Sequence, residues 1–270
     1  MRTPVSKVNV VRVEGGATAD VDDLLVVEEP LEIRLGHGPL EDRKEFRLSV
    51  TMRTPGNDEE LALGFLYTEG VISSVDEIIS IKPCLNVKPE EKGNVVRAEL
   101  RPDLDQDLSR WQRNFYTTSS CGVCGKSSLE AVRVNCSPIQ PFGNVDAKII
   151  ASLPDEMRKV QTVFTHTGGI HAAALFDATG KLLILREDVG RHNAVDKVIG
   201  CMLQRNIHPQ KKILLVSGRA GFELVQKCAV AGIPAMAAIG APSSLAVDLA
   251  KNIGLTLIGF LRKDRFNIYT

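Results

Sequence analysis

Two cysteines three residues apart, Cys121 and Cys124, stand in the run YTTSSCGVCGKSSLEAVRV, a Gly-rich and Ser-rich turn ahead of a helix expected to begin near Ser127 or Ser128. Exposed backbone NH groups and the positive end of such a helix stabilise negative sulfur, and Lys126 adds a cation, so the setting favours a thiolate. A nucleophilic thiolate can attack a persulfide and carry its outer sulfur away. The same pair can act as a redox dithiol or as half of a zinc site, and spacing alone leaves all three roles open. A redox pair is expected after a strand in a thioredoxin-like unit, and that context is missing. Structural zinc takes four ligands; no second CxxC occurs, so His166 and His171 would have to complete the set. A zinc deaminase joins a HxE element to a later PCxxC. Here His171-Ala172-Ala173 has alanine in place of the glutamate and follows the cysteines, and two serines precede Cys121, so the proton shuttle of a deaminase has no residue to carry it.

Further polar chemistry gathers in the second half. LREDVGRHNAVDK packs Arg186, Glu187, Asp188, Arg191, His192, Asn193, Asp196 and Lys197 around a strand-to-helix turn. It reads either as a solvated loop with salt bridges and an Asn193 cap, or as an anion or nucleotide pocket. KILLVSGRAGFE delivers Ser217, Gly218 and Arg219 to a helix N-terminus, where backbone NH groups favour phosphate. The lysine of a P-loop is absent, so nucleotide hydrolysis has no support while diphosphate binding stays open. APSSLAVDLA repeats the theme with Ser243 or Ser244 as an N-cap. GFLRKDRFNIY sets Arg262, Lys263 and Arg265 between Phe260 and Phe266, a stretch able to clamp phosphate and stack a planar base, or else a plain charged edge strand. His166 and His171 flank Gly168-Gly169 and are secondary candidates.

These residues need elements to hold them. LLVVEEPLEIRL and EFRLSVTMRT alternate apolar and polar residues, which predicts antiparallel strands with one wet face. A helix capped by Asn57 or Asp58 follows, with Glu59 and Glu60 at its positive end, LALGFLYTE as its apolar stripe and Gly70 as its stop; it should pack on that sheet. PEEKGN marks a turn. The boundary is expected near residue 115, giving a strand-rich N-terminal domain over 1–115 and an α/β domain over 116–270. In the latter TVFTHTGG, HAAALFD and LLILRED read as strands, NAVDKVIGCMLQRN as a helix and KKILLVSGR as a buried strand. FELVQKCAVAG, IPAMAAIG, SSLAVDLAKNIG and LTLIGFLR then alternate helix and strand. The fold class is therefore α/β, α+β overall, with a layered C-terminal domain whose strand ends gather the ligand-binding loops.

Composition removes several classes. Lysine plus arginine and aspartate plus glutamate both total 33, so no net field recommends nucleic acid or an anionic membrane as partner. The N-terminus lacks the apolar run of a signal peptide and no stretch is long enough to span a bilayer, which points to the cytoplasm. Six cysteines in 270 residues are too few for a disulfide scaffold. Four stand singly, and Cys201 and Cys228 fall in apolar helical patterns that suit buried thiols.

Several separate blocks, EEPLEIRL, MRTPGNDEELALGFLYTEGVI, SSCGVCG, THTGGIHAAAL, REDVGRHNAVDKVIG, LLVSGR, AGIP, APSSLAVDLA, GLTLIGFLR and RFNIY, make the chain resemble the formate dehydrogenase accessory sulfurtransferase family along nearly its whole length. The resemblance implies a sulfur carrier that takes sulfur from a cysteine desulfurase and passes it to the bis(molybdopterin guanine dinucleotide) molybdenum cofactor before insertion into the formate dehydrogenase catalytic subunit. It maps the persulfide cysteine onto Cys121, with Cys124 as a helper. It maps a cofactor-binding stretch onto Phe260, Leu261, Arg262, Lys263, Asp264 and Arg265, to which the residue chemistry adds Arg191, Ser217 and Arg219. It also implies a homodimer, no resident metal and a cytidine deaminase-like C-terminal domain. Gly240 departs from the pattern, which has Ser or Thr before the Ala of APSS. The rival from another class is a noncatalytic chaperone of the molybdenum cofactor with a structural CxxC.

Overall fold

The computed structural model describes residues 3–104, 138–143 and 146–270. Cys121, Cys124, the helix expected from Ser127 or Ser128 and the boundary expected near residue 115 lie outside the described residues.

The chain opens with a two-stranded ribbon, β1 (Val5–Glu14) and β2 (Ala17–Val26), turned by Gly15 and Gly16 at φ 58° and 86°. Two successive left-handed residues match the twist of the flanking strands, and glycine takes that conformation without a Cβ clash. A four-stranded sheet follows in the order β4-β3-β6-β5, with β3 at Glu29–His37, β4 at Lys44–Arg53, β5 at Ile78–Pro83 and β6 at Val95–Leu100. The β3/β4 and β5/β6 pairs are antiparallel, as the alternation predicts, but β3 and β6 run parallel. The helix α1 (Asp58–Thr68) explains this departure: it carries the chain from β4 to the far side of the sheet, so β6 returns alongside β3 in the same direction. Its N-cap Asn57 is left-handed and makes no side-chain cap, while Asp58, Glu59 and Glu60 favour the positive end of the helix. Leu61, Leu63 and Leu66 pack with Leu31, Ile33, Leu35 and Val96 into one core.

The second half begins with α2 (Ala147–Val160) and α3 (Thr162–Thr167). The sequence reading made TVFTHTGG a strand; the structure makes it helical because the Glu187 carboxylate accepts the first-turn NH groups of Val163 and Phe164 at 3.0 and 2.8 Å. A six-stranded mixed sheet follows in the order β12-β11-β10-β9-β7-β8. The hairpin of β7 (His171–Asp177) and β8 (Leu182–Asp188) leads into α4 (Arg191–Gln204), β9 (Lys212–Val216), α5 (Phe222–Val230), β10 (Ala235–Ala238), α6 (Ser244–Ile253), β11 (Thr256–Gly259) and β12 (Asn267–Ile268). As the alternation of strand and helix predicts, β9, β10 and β11 are parallel. Residues of α4, α5 and α6 fill one side of this sheet, and Ile150, Leu153 and Met157 of α2 fill the other.

The two sheets meet through α1 and α4. A Cβ on Gly64 would lie 1.9 Å from the Asp196 carbonyl oxygen, and one on Gly200 would lie 1.9 Å from that of Glu60. Each helix thus presents a glycine to the backbone of the other, and the axes approach closer than any side chain permits. Among the described residues no helix is long and apolar enough to cross a membrane.

Candidate functional site

The polar run at the start of α4 does two different jobs. Most of it is the joint between the sheets rather than an anion pocket. Asp188 accepts from the Thr54 and Gly190 NH groups at 3.1 and 2.8 Å and from Asn193 Nδ2 at 3.1 Å, and its carboxylate meets Lys197 Nζ at 2.7 Å. Lys197 also donates to the Thr54 carbonyl at 2.9 Å, and Asn193 donates to the Met52 carbonyl at 2.8 Å. Arg186 grips Glu60 through two nitrogens. Deeper in, the buried Lys227 ammonium donates to Thr68 at 2.8 Å and to Glu69 and Asp196 at 3.0 Å. Burial alone would lower the pKa of Lys227, but the two carboxylates outweigh it and hold the ammonium charged. These charges are desolvated and paired, so they fasten β4 and α1 to α4 and α5 rather than bind a ligand.

Arg191 and His192 instead reach the segment that follows β9, Arg191 beside Gly218 and His192 at Glu223. Three loops converge there because glycine lets them touch. A Cβ on Gly240 would fall 2.8 Å from the Gly218 carbonyl oxygen and 2.9 Å from Arg219 Cα, and one on Gly259 would fall 2.7 Å from Pro242 Cδ. Gly240 NH donates to the Gly218 carbonyl at 2.9 Å and Phe260 NH to the Gly240 carbonyl at 3.0 Å, so 217–221, 239–243 and 259–265 form one rim. A Cβ on Gly218 would sit 3.6 Å from His171 Nδ1 and 3.9 Å from Arg191 Cδ, which brings both side chains to this rim.

The residues expected at the site are dispersed in role. Ser217 is half-buried and its Oγ accepts the Ala172 NH at 2.9 Å, leaving its own hydrogen available to donate. Arg219, Lys263, Asp264 and Arg265 are exposed. Arg262 donates to the Ile239 and Leu261 carbonyls at 2.7 and 2.8 Å, so it braces the rim. The side chain of Leu261 is buried in the core on the α2 side of the sheet, and a ligand can meet only its backbone. Phe260 is exposed with φ 51°, a left-handed conformation that costs an aromatic residue about 1–3 kcal/mol. His166 is exposed on α3.

Sequence reasoning named His192 in the polar run but not its partner: His192 Nε2 lies 2.7 Å from Glu223 Oε2, and Nδ1 of the same ring is buried without a hydrogen-bond partner among the described residues. The two residues are 31 positions apart, and no local pattern joins them. His171 is held below the ordinary histidine pKa, first by burial and then by the charges of Arg191 and His192. Among the described residues no group of three or more His, Cys, Asp or Glu side chains is placed to hold a metal ion. The arrangement offers glycine-joined loops, arginines and one exposed aromatic ring on a left-handed backbone, a set of groups whose chemistry suits a phosphorylated ligand with a planar base.

A family model described as the FdhD/NarQ family matches residues 26–270. The chain belongs to the FdhD/NarQ family. Relatives within the FdhD/NarQ group include "Sulfur carrier protein FdhD" of Streptomyces avermitilis, 50% identical over 96% of this chain and 92% of that one. The protein of the same name from Sulfurisphaera tokodaii is 45% identical over 98% of this chain and 97% of its own length. Among solved structures, the "putative formate dehydrogenase accessory protein" of Desulfotalea psychrophila superposes with a TM-score of 0.74 at 26% identity, covering 99% of this chain and 98% of that one.

Proposed function

We propose that this chain is a sulfur carrier that serves formate dehydrogenase: the Cys121 thiolate takes the outer sulfur of a cysteine desulfurase persulfide and delivers it to a molybdenum cofactor carrying guanine nucleotide arms. In the first step the Cys121 Sγ–S bond forms as the desulfurase S–S bond breaks, and the desulfurase cysteine leaves as thiolate. The cofactor is substrate, held by its nucleotide at the rim of β9, β10 and β11. Arg191, Ser217 and Arg219 are assigned to phosphate, Phe260 to the base, and the backbone of 260–265 to the loop that closes over it. The observation that carries this reading is the glycine-joined rim with Phe260 in a strained conformation, in a chain that matches named sulfur carriers along nearly its full length. An antiparallel hairpin followed by alternating helix and parallel strand supports a cytidine deaminase-like C-terminal half, with alanine in place of its catalytic glutamate.

Two variants test the two halves of the proposal. Cys121→Ala should abolish activation of a formate dehydrogenase while leaving guanosine diphosphate binding unchanged. Arg219→Ala should weaken guanosine diphosphate by about 10–100-fold, the loss of one charge-assisted contact of ~1.5–3 kcal/mol. Full activation by Cys121→Ala would instead make the protein a cofactor-binding chaperone, and unchanged nucleotide affinity in Arg219→Ala would remove this rim from the account.

A further inference from the structure

A histidine ring holds Nδ1 close to its own main chain and Nε2 at its far end. His192, the second residue of α4, uses the far nitrogen to reach Glu223, the second residue of α5, at 2.7 Å. An ionised carboxylate only accepts, so Nε2 carries a hydrogen and the ring orientation is fixed. Nδ1 is thereby left at the first turn of α4. The residue is 5% exposed, and among the described residues nothing bonds to that nitrogen. A buried polar atom without a partner carries the full penalty of its lost hydration, which a ligand atom can remove.

The groups around this pair call for a negative partner. Gly190 and Gly221 are the N-caps of α4 and α5, and no side chain caps either helix, whereas Ser243 accepts the Ala246 NH at the start of α6. The pair joins the first turns of α4 and α5, and with them two positive helix ends. Arg191, from the same turn as His192, lies against Gly218, and Ser217 keeps a hydrogen to donate. His171 of β7 feels the charge of both Arg191 and His192. Asp188, the acid nearest in the chain, is already engaged by Thr54, Gly190, Asn193 and Lys197. Donors here outnumber acceptors, and an anion balances them.

We infer that His192 is a ligand-binding residue whose Nδ1–H donates to a phosphate oxygen of the nucleotide at the rim, and that Glu223 is the positioning residue that fixes its ring. The inference rests on the reading of the rim as a nucleotide site and adds a donor and its support to that site. In the complex the ring carries hydrogens on both nitrogens and lies between two anions, Glu223 on one side and phosphate on the other, an arrangement that favours the imidazolium. Glu223 is itself favoured in the first turn of α5, so the support is held by the helix that presents it.

Two substitutions separate the nitrogens of the ring. A glutamine amide reaches the position of Nε2 and an asparagine amide that of Nδ1, so His192→Gln keeps the bond to Glu223 and loses the one to the ligand, and His192→Asn does the reverse. In calorimetric titrations of the full-length protein, His192→Gln should bind guanosine diphosphate about 10-fold or more weakly, the loss of one charge-assisted contact, and His192→Asn should lose less. Guanosine, which has no phosphate, should bind the parent and His192→Gln alike. Nitrogen-15 spectra at about pH 8, above the ordinary histidine pKa of about 6.5, should show a proton on Nδ1 of His192 when guanosine diphosphate is bound, and none in Glu223→Gln. Removing a carboxylate beside an anion ordinarily strengthens binding, so a weaker Glu223→Gln marks a role through His192. Undiminished affinity in His192→Gln, a larger loss in His192→Asn, an equal loss for guanosine, or an unprotonated Nδ1 in the complex overturns the inference. If the parent still binds and Arg219→Ala still weakens it, the rim reading survives that result; a parent that does not bind guanosine diphosphate removes both. Should His192→Gln fail to fold, the Nδ1 proton of the parent and of Glu223→Gln decides it.

Discussion

His171 is the titrating residue that couples the rim to pH. It is half-buried beside Arg191 and His192, and its burial and their charges outweigh the nearby Asp188 carboxylate, so the folded chain keeps it neutral below the ordinary pKa of about 6.5. The unfolded chain then binds the proton first as pH falls. The stability this residue contributes is therefore full above about pH 6.5 and is lost as pH falls toward its folded pKa. An anionic diphosphate at the same rim favours the imidazolium, so binding should raise the pKa. The His171 ring proton resonances should titrate with a midpoint under 6.5 in the free protein and move upward with guanosine diphosphate. A midpoint at or above 6.5 without ligand, or no movement with it, would show that His171 does not face the bound anion.

At the scale of elements the α1–α4 crossing gives a prediction whose sign is informative. Replacing glycine by alanine inside a helix ordinarily stabilises it by ~0.5–1 kcal/mol. Gly200→Ala should instead destabilise the protein by about 1–3 kcal/mol or more, because the new methyl group would overlap the Glu60 carbonyl and force the helices apart. Gly64→Ala should behave alike, and the double variant should cost less than the sum because both open the same contact. Urea midpoints measure this, and a stabilised Gly200→Ala would mean that the helices are not in backbone contact. The same crossing shows what the sequence could reveal. The βα rhythm from His171 to Gly259 was readable, because buried parallel strands are short apolar runs bounded by Gly, Pro and Ser. The first turn of α3 was not: TVFT favours a strand locally, and Glu187, more than twenty residues on, makes it a helix. Nor was α2 anticipated, with Pro154 inside it. Charge clustering at 186–197 was visible, but whether it faces water, a ligand or another layer depends on β4, which is more than 130 residues earlier.

Over the whole molecule, buried ion pairs join the two sheets on which the proposed rim is carried. Arg53 ties the end of β4 to Asp58 of α1, and Asp188, Lys197 and Lys227 continue that tie into the second sheet. Removing one partner of such a buried pair leaves an uncompensated charge, whereas exposed pairs such as Lys7–Asp22 contribute little. The candidate site was legible as residue types, since Ser217, Arg219 and Phe260 were singled out by chemistry. Its glycine contacts and the His192–Glu223 pair were not, because they join loops distant in the chain. The central claim concerns Cys121 and is tested most directly by intact mass after incubation with a cysteine desulfurase and cysteine. The account predicts a gain of about one sulfur atom, reversed by reductant and absent in Cys121→Ala, as expected of a reactive thiolate. An unchanged wild-type mass, or an equal gain in Cys121→Ala, would contradict it.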